Sequence, residues 1–84
     1  MARVTPATTP NPNAMKFTLD VTLSERIDTT RGEGTDSPFA AAMLEVDGVA
    51  SVFGVNDFVT ITKDPGASWD AITDAVVALA EDHL

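Results

Sequence analysis

The sequence predicts an α+β fold: a two-layer sandwich in the order β-β-α-β-β-α, with a mostly antiparallel sheet and two helices packed on one face. Three observations carry this expectation. Met15, Phe17, Leu19, Val21 and Leu23 alternate with polar residues, the period of a strand with one face on a core and one in water. Two β-branched and aromatic runs, Val49 to Phe53 and Phe58 to Thr62, flank the short turn Gly54-Val55-Asn56-Asp57 and read as a hairpin. Two apolar stripes at helical spacing each follow a serine that can cap a helix. Antiparallel strands broken by single helices favour such a sandwich over a doubly wound parallel sheet.

Taken in order, Met1 to Thr9 is rich in Thr, Ala and Pro without period, and residues 1–13 read as a flexible N-terminal tail ahead of a domain spanning 14–84. Pro10-Asn11-Pro12-Asn13 forces an extended or turning path, because a residue before proline is pushed out of the α region. The alternating strand Met15 to Leu23 follows. Ser24 to Thr30 has Ile27 as its one strongly apolar residue and reads as a short edge strand, and Arg31 to Asp36 reads as a loop.

Ser37 predicts a helix start with Pro38 in the first turn, where its missing N–H costs nothing. Phe39, Ala42, Met43 and Val46 give the buried stripe, and Asp47-Gly48 ends a helix of about ten residues, with Gly48 as its left-handed C′ residue. After the hairpin, Pro65-Gly66 predicts a tight turn with Gly66 at positive φ. Ser68 then caps a helix from Trp69 to about His83, whose stripe is Trp69, Ile72, Val76 and Leu79 and extends to His83.

Eighty-four residues with 44% apolar content supply one core. Thirteen acidic against five basic residues give a net charge of -8, a field that disfavours nucleic acid and anionic membranes as partners and attracts basic proteins or loosely held cations. There is no cysteine, hence no disulfide, no thiolate nucleophile and no protein ligand for an iron–sulfur cluster. No run approaches the length of a bilayer span and the N-terminus has no apolar leader core, so a cytoplasmic protein is expected.

Candidate chemistry is sparse. His83 is the one histidine, and a terminal helical turn offers it neither an orienting partner nor a pocket. Asp70 and Asp74 share a helix face at i, i+4, and Asp57 and Asp64 flank a hairpin strand, without the converging oxygens of a dedicated calcium or magnesium site. Arg31-Gly32-Glu33-Gly34 lacks the P-loop lysine and places acid where an anion would sit. Ser37 and Ser68 are accounted for as caps. These residues predict a protein that is not an enzyme.

Thr9 to Phe17 (TPNPNAMKF), Asp36 to Gly54 (DSPFAAAMLEVDGVASVFG), Asp57 to Trp69 (DFVTITKDPGASW) and the closing amphipathic helix, in this order, resemble the N-terminal domain of the Nfu/NifU-like iron–sulfur scaffold family. The resemblance implies an antiparallel sheet with helices on one face, and fuller members join this domain to a second one whose CxxC pair binds a cluster. The present sequence reaches Leu84 without a cysteine, so no cluster ligand can be assigned to it and no bound cofactor is expected. The resemblance then implies an accessory role: docking to an iron–sulfur scaffold or an apo-client protein, formation of a homodimer, or help in cluster transfer. Among the matching residues, Asn11, Asn13, Asp57 and Lys63 are polar positions that neither core nor cap explains, and with Trp69 they form the candidate interaction surface. A second reading, motivated by the charge, is an acidic protein that holds iron weakly on surface carboxylates.

Overall fold

The structure is a computed structural model and describes residues 3–23, 26–35 and 37–84. Its elements are β1 (Val4–Thr8), β2 (Ala14–Leu19), β3 (Ile27–Thr30), α1 (Pro38–Leu44), β4 (Val49–Val55), β5 (Phe58–Lys63) and α2 (Trp69–His83). The five strands form one sheet in the order β1-β2-β5-β4-β3, and every neighbouring pair is antiparallel. The predicted α+β two-layer fold is therefore present, with one strand more than expected.

The core lies between the sheet and the two helices. Alternation along β2 and β5 sends Phe17, Leu19, Val59 and Ile61 inward, where they meet Phe39, Ala40 and Met43 of α1 and Ile72, Val76 and Ala80 of α2. Both serine caps form: the Ser37 hydroxyl accepts the Ala40 N–H at 3.2 Å, and the Ser68 hydroxyl accepts the Asp70 N–H at 3.3 Å. The opposite face of the sheet carries no helix among the described residues.

Residues 1–13, expected as a flexible tail, contain β1, which pairs with β2 from Val4 opposite Leu19 to Thr8 opposite Met15. Its side chains are mostly exposed, so no apolar period announced it; backbone hydrogen bonds hold it. The Asp20 N–H donates to the Arg3 carbonyl at 3.2 Å, and counting from that pair by twos turns the Pro6 nitrogen away from β2, toward the free edge. Proline tolerates that place and blocks further pairing there.

The alternation of Met15 to Leu23 outlasts its strand. β2 stops at Leu19 because the chain then crosses the tip of the β4–β5 hairpin, where the Leu19 and Leu23 N–H groups donate to the Asp57 and Asn56 carbonyls, each at 2.6 Å. Val21 and Leu23 still pack against the core from outside the ladder. The expected strand Ser24 to Thr30 is realised as Ile27–Thr30; Ser24, Glu25 and Asp36 lie outside the described residues.

Helix α1 is shorter than expected, with Glu45 as C-cap, and its stripe uses Ala40 in place of Ala42. In α2 the buried positions are Ile72, Val76 and Ala80, with Leu79 half-buried and His83 exposed. Of the glycines expected at positive φ, Gly48 is (+91°) and Gly66 is not. Gly48 sits in the Val46–Val49 turn rather than directly after the helix. A Cβ there would fall 2.5 Å from the Ala67 Cβ.

The RGEG loop is fastened rather than free. Both terminal nitrogens of Arg31 reach the Asp64 carboxylate at 3.0 Å, and one also donates to the Val49 carbonyl at 3.3 Å. The guanidinium holds the Asp64 carboxyl below its usual range, and the hydrogen bond to Asp64 raises Arg31 above its own.

Two predictions follow from these contacts. Gly48→Ala should destabilise by about 2–4 kcal/mol, combining left-handed strain with the Ala67 clash, whereas Gly66→Ala, which meets open space, should change stability by less than about 1 kcal/mol. Denaturant midpoints of the two variants check this. Because Asp64 has a lower pKa folded than unfolded, its ion pair contributes stability above the unfolded carboxyl value and loses it as pH falls through the folded one. The stability difference between wild type and Asp64→Asn should therefore be present at neutral pH and shrink below about pH 4. Urea unfolding at neutral and acid pH would show it, and an equal difference at both would contradict it.

Candidate functional site

Four of the five residues singled out in the sequence meet at one end of the sheet. The β1–β2 connection is an ordered turn: the Asn11 side-chain oxygen accepts the Asn13 N–H at 2.9 Å, and the Asn11 carbonyl accepts the Ala14 N–H at 3.0 Å. This is the local bond that suits asparagine to turns. The Thr9 hydroxyl accepts the Asn11 N–H and lies within 2.9 Å of the Asn11 and Ala14 carbonyls, closing the turn from behind. The two prolines fix φ on either side of Asn11.

Beside this turn ends β5. The Lys63 N–H donates to the Asn13 carbonyl at 2.7 Å, which carries the β2–β5 ladder one step further. The Lys63 side chain is buried, at 9% exposure, and its ammonium donates to the Asn13 Oδ1 at 3.2 Å and to the Asp64 and Pro65 carbonyls at 3.3 and 3.4 Å. It also faces the Trp69 ring, 5.8 Å from the centroid. Trp69, the first residue of α2, tilts against Phe17 and donates its indole N–H to the Pro12 carbonyl at 3.1 Å. Turn, strand end and helix start are thereby tied together.

The predicted surface is reassigned in part by this geometry. Lys63 and Asn13 spend their polar groups on each other and on neighbouring backbone, so they support the site from beneath. Asn11 is exposed and Trp69 is half-buried, and both border a depression of about 290 Å³ with Pro12, Met15, Thr8 and Thr9. Asp57 is elsewhere: it occupies the two-residue β4–β5 turn, at the other end of β5 and roughly 20 Å from Lys63 along the strand. Its carbonyl, not its carboxylate, has the structural task of accepting the Leu19 N–H.

Sequence reasoning missed Met15 as part of this surface, reading it only as core. The available signal was its place at the start of a strand directly after a turn, where a core-facing side chain is covered on one side only. The depression is lined mainly by apolar groups, with Asn11 at its rim, and is suited to receive an apolar side chain of another molecule.

A larger, more polar cleft of about 510 Å³ lies between β3, the start of α1 and the end of α2, and contains none of the five predicted residues. The Thr29 hydroxyl beside it is buried without a hydrogen-bond partner among the described residues, and His83 borders it exposed, without an orienting carboxylate among its hydrogen bonds. No group of three His, Cys, Asp or Glu side chains converges among the described residues, and Asp70 and Asp74 point into solvent. No helix among them is long and apolar enough to cross a membrane.

Comparison with known proteins agrees with this architecture. A family described as the N-terminal part of the scaffold protein Nfu/NifU matches residues 4–84, which includes β1. A NifU-like protein of Schizosaccharomyces pombe is 39% identical over 82 residues, 90% of this chain and 31% of its own length. Conserved virulence factor C of Staphylococcus aureus is 34% identical over 76 residues, 88% of this chain and 20% of its own length. This chain thus spans a third or less of these curated relatives. The crystal structure of the Staphylococcus aureus protein SAV1430 is similar with a TM-score of 0.76 at 32% identity, covering 93% of this chain and 98% of that one. The solution structure of a NifU-like protein from Saccharomyces cerevisiae gives 0.72 at 27%, covering 98% and 77%. With its five-stranded antiparallel sheet, two covering helices and a match over nearly its whole length, the chain belongs to the Nfu/NifU N-terminal family.

Proposed function

We propose that this domain is a non-catalytic accessory module in iron–sulfur cluster assembly or transfer, docking to a scaffold or an apo-client protein. Family membership supplies the setting, and the sequence has no cysteine with which to hold a cluster itself. The observation that carries the docking reading is the half-buried Trp69, fixed by its indole N–H to Pro12 and set beside an apolar depression. An aromatic ring held in one rotamer loses little entropy on binding and can serve as an anchor. The reading that places iron on surface carboxylates finds no converging set among the described residues to support it.

Titration of the isotope-labelled chain with a CxxC-bearing Nfu domain, followed by amide and indole shifts, tests this proposal. Shifts should concentrate on Asn11, Ala14, Met15 and the Trp69 indole. Met15→Glu, which puts an unpaired charge in the depression, should weaken binding about tenfold, equivalent to roughly 1.4 kcal/mol. Absence of shifts with that domain and with apo-clients at every accessible concentration would overturn the proposal. Concentration-dependent shifts of the same residues in the chain alone would instead reveal a homodimer through this surface.

A further inference from the structure

The face of the sheet turned away from the helices carries an ordered row of side chains. Phe53 on β4 and Phe58 on β5 lie side by side, ring centroids 6.4 Å apart and tilted by 44°. The Lys16 ammonium on β2 stands 4.6 Å from the Phe58 centroid, and the Arg26 guanidinium, just before β3, stands 5.3 Å from that of Phe53. A cation, two rings and a cation thus run from β2 over β5 and β4 to the residue that precedes β3. Thr18, Thr60 and Thr62, on the same face, are half-buried.

The charge distribution makes this row distinctive. In a chain of net charge -8, two of the five basic side chains stand here, whereas Arg31 is bound to Asp64 at the sheet end and Lys63 is buried. Six of the thirteen acidic residues belong to the other layer: Asp70, Asp74, Glu81 and Asp82 are exposed on α2, and Glu45 and Asp47 follow α1. On the open face the register places Asp28, which pairs with Arg26 at 3.2 Å with both side chains 65% exposed, a contact that water and salt weaken. Lys16 has no carboxylate within 4 Å among the described residues.

We propose that this face binds an acidic amphipathic helix of a partner protein, packed across the Phe53–Phe58 pair. Size favours a helix: β2 and β3 are three strand spacings apart, about 14 Å, while a helix with its side chains is about 10–12 Å wide. Lys16 and Arg26, each over one ring, mark the two ends of the row, so a helix laid on it offers an acidic flank to each cation and its apolar stripe to the rings between them. Charge complementarity selects acid over base on this face alone, since the helix layer of the same molecule repels it. The surface is separate from the Trp69 depression and stands whether or not that docking reading holds.

The test uses two synthetic eighteen-residue helical peptides with the same leucine stripe at i, i+3, i+4 and i+7, one flanked by glutamates and one by lysines. The glutamate peptide should shift the amides of Lys16, Phe53, Phe58 and Thr60, leaving the Trp69 indole unmoved. Lys16→Glu and Phe53→Ser should each weaken it about tenfold. The Lys16 substitution is on an exposed side chain, so retained amide dispersion establishes that the variant is folded. Absence of glutamate-peptide shifts up to about 1 mM, equal binding of the lysine peptide at the same amides, or shifts centred on Trp69 would each overturn the proposal. Concentration-dependent shifts of the same four amides without peptide would also overturn it, assigning the face to self-association.

Discussion

A buried ammonium holds this domain together at one end. Lys63 closes β5, the central strand of the sheet, and an ammonium left without partners in that position would be strongly destabilising. It has three donors and finds three oxygens: one from Asn13, fifty residues earlier, and two from the turn that follows it. The Trp69 ring covers it, and the Trp69 indole is bound in turn to Pro12. Two segments remote in sequence, the PNPN turn and the start of α2, are therefore tied through one side chain, and the apolar depression between them is shaped by the domain's own contacts. Preorganisation of that kind reduces the ordering cost of association.

The rest of the fold follows from keeping β5 central. Its alternation puts Val59 and Ile61 into the core under both helices and leaves Phe58, Thr60 and Thr62 on the open side. The two edge strands end the sheet by different means. In β1, Pro6 turns a nitrogen without hydrogen toward the free edge; in β3, Glu33 folds back so that its side chain accepts the Thr30 N–H at 2.8 Å and its own N–H donates to the Thr30 carbonyl at 2.9 Å. Both ladders are therefore blunted at their free edges.

Much of this was legible in the residues. The alternation of β2, the hairpin, both serine caps and the two apolar stripes read directly, because each is a local pattern with a local cause. β1 was not legible: Val4-Thr5-Pro6-Ala7-Thr8 buries almost nothing, and its pairing is a property of the backbone that composition does not record. The end of β2 was overrun because Val21 and Leu23 keep the alternation for packing after the ladder has stopped. Of the residues expected at a candidate surface, Asn11, Asn13, Lys63 and Trp69 lie together, but their division of labour was hidden. Lysine on a strand ordinarily signals solvent, and only the three-dimensional arrangement turns Lys63 inward. Asp57 carried the same polar signature and has a purely backbone task at the opposite end.

The central claim is that Lys63 fixes the PNPN turn and Trp69 as one unit. Native-state hydrogen exchange of the Trp69 indole N–H, compared between the wild-type chain and Lys63→Met, tests it most directly, with the Val52 and Ile61 amides of the β4–β5 ladder as internal reference. The account predicts a protected indole in the wild type that exchanges much faster in the variant, while the ladder amides change far less. Indole protection that stays in constant ratio to the ladder amides in both proteins would contradict it.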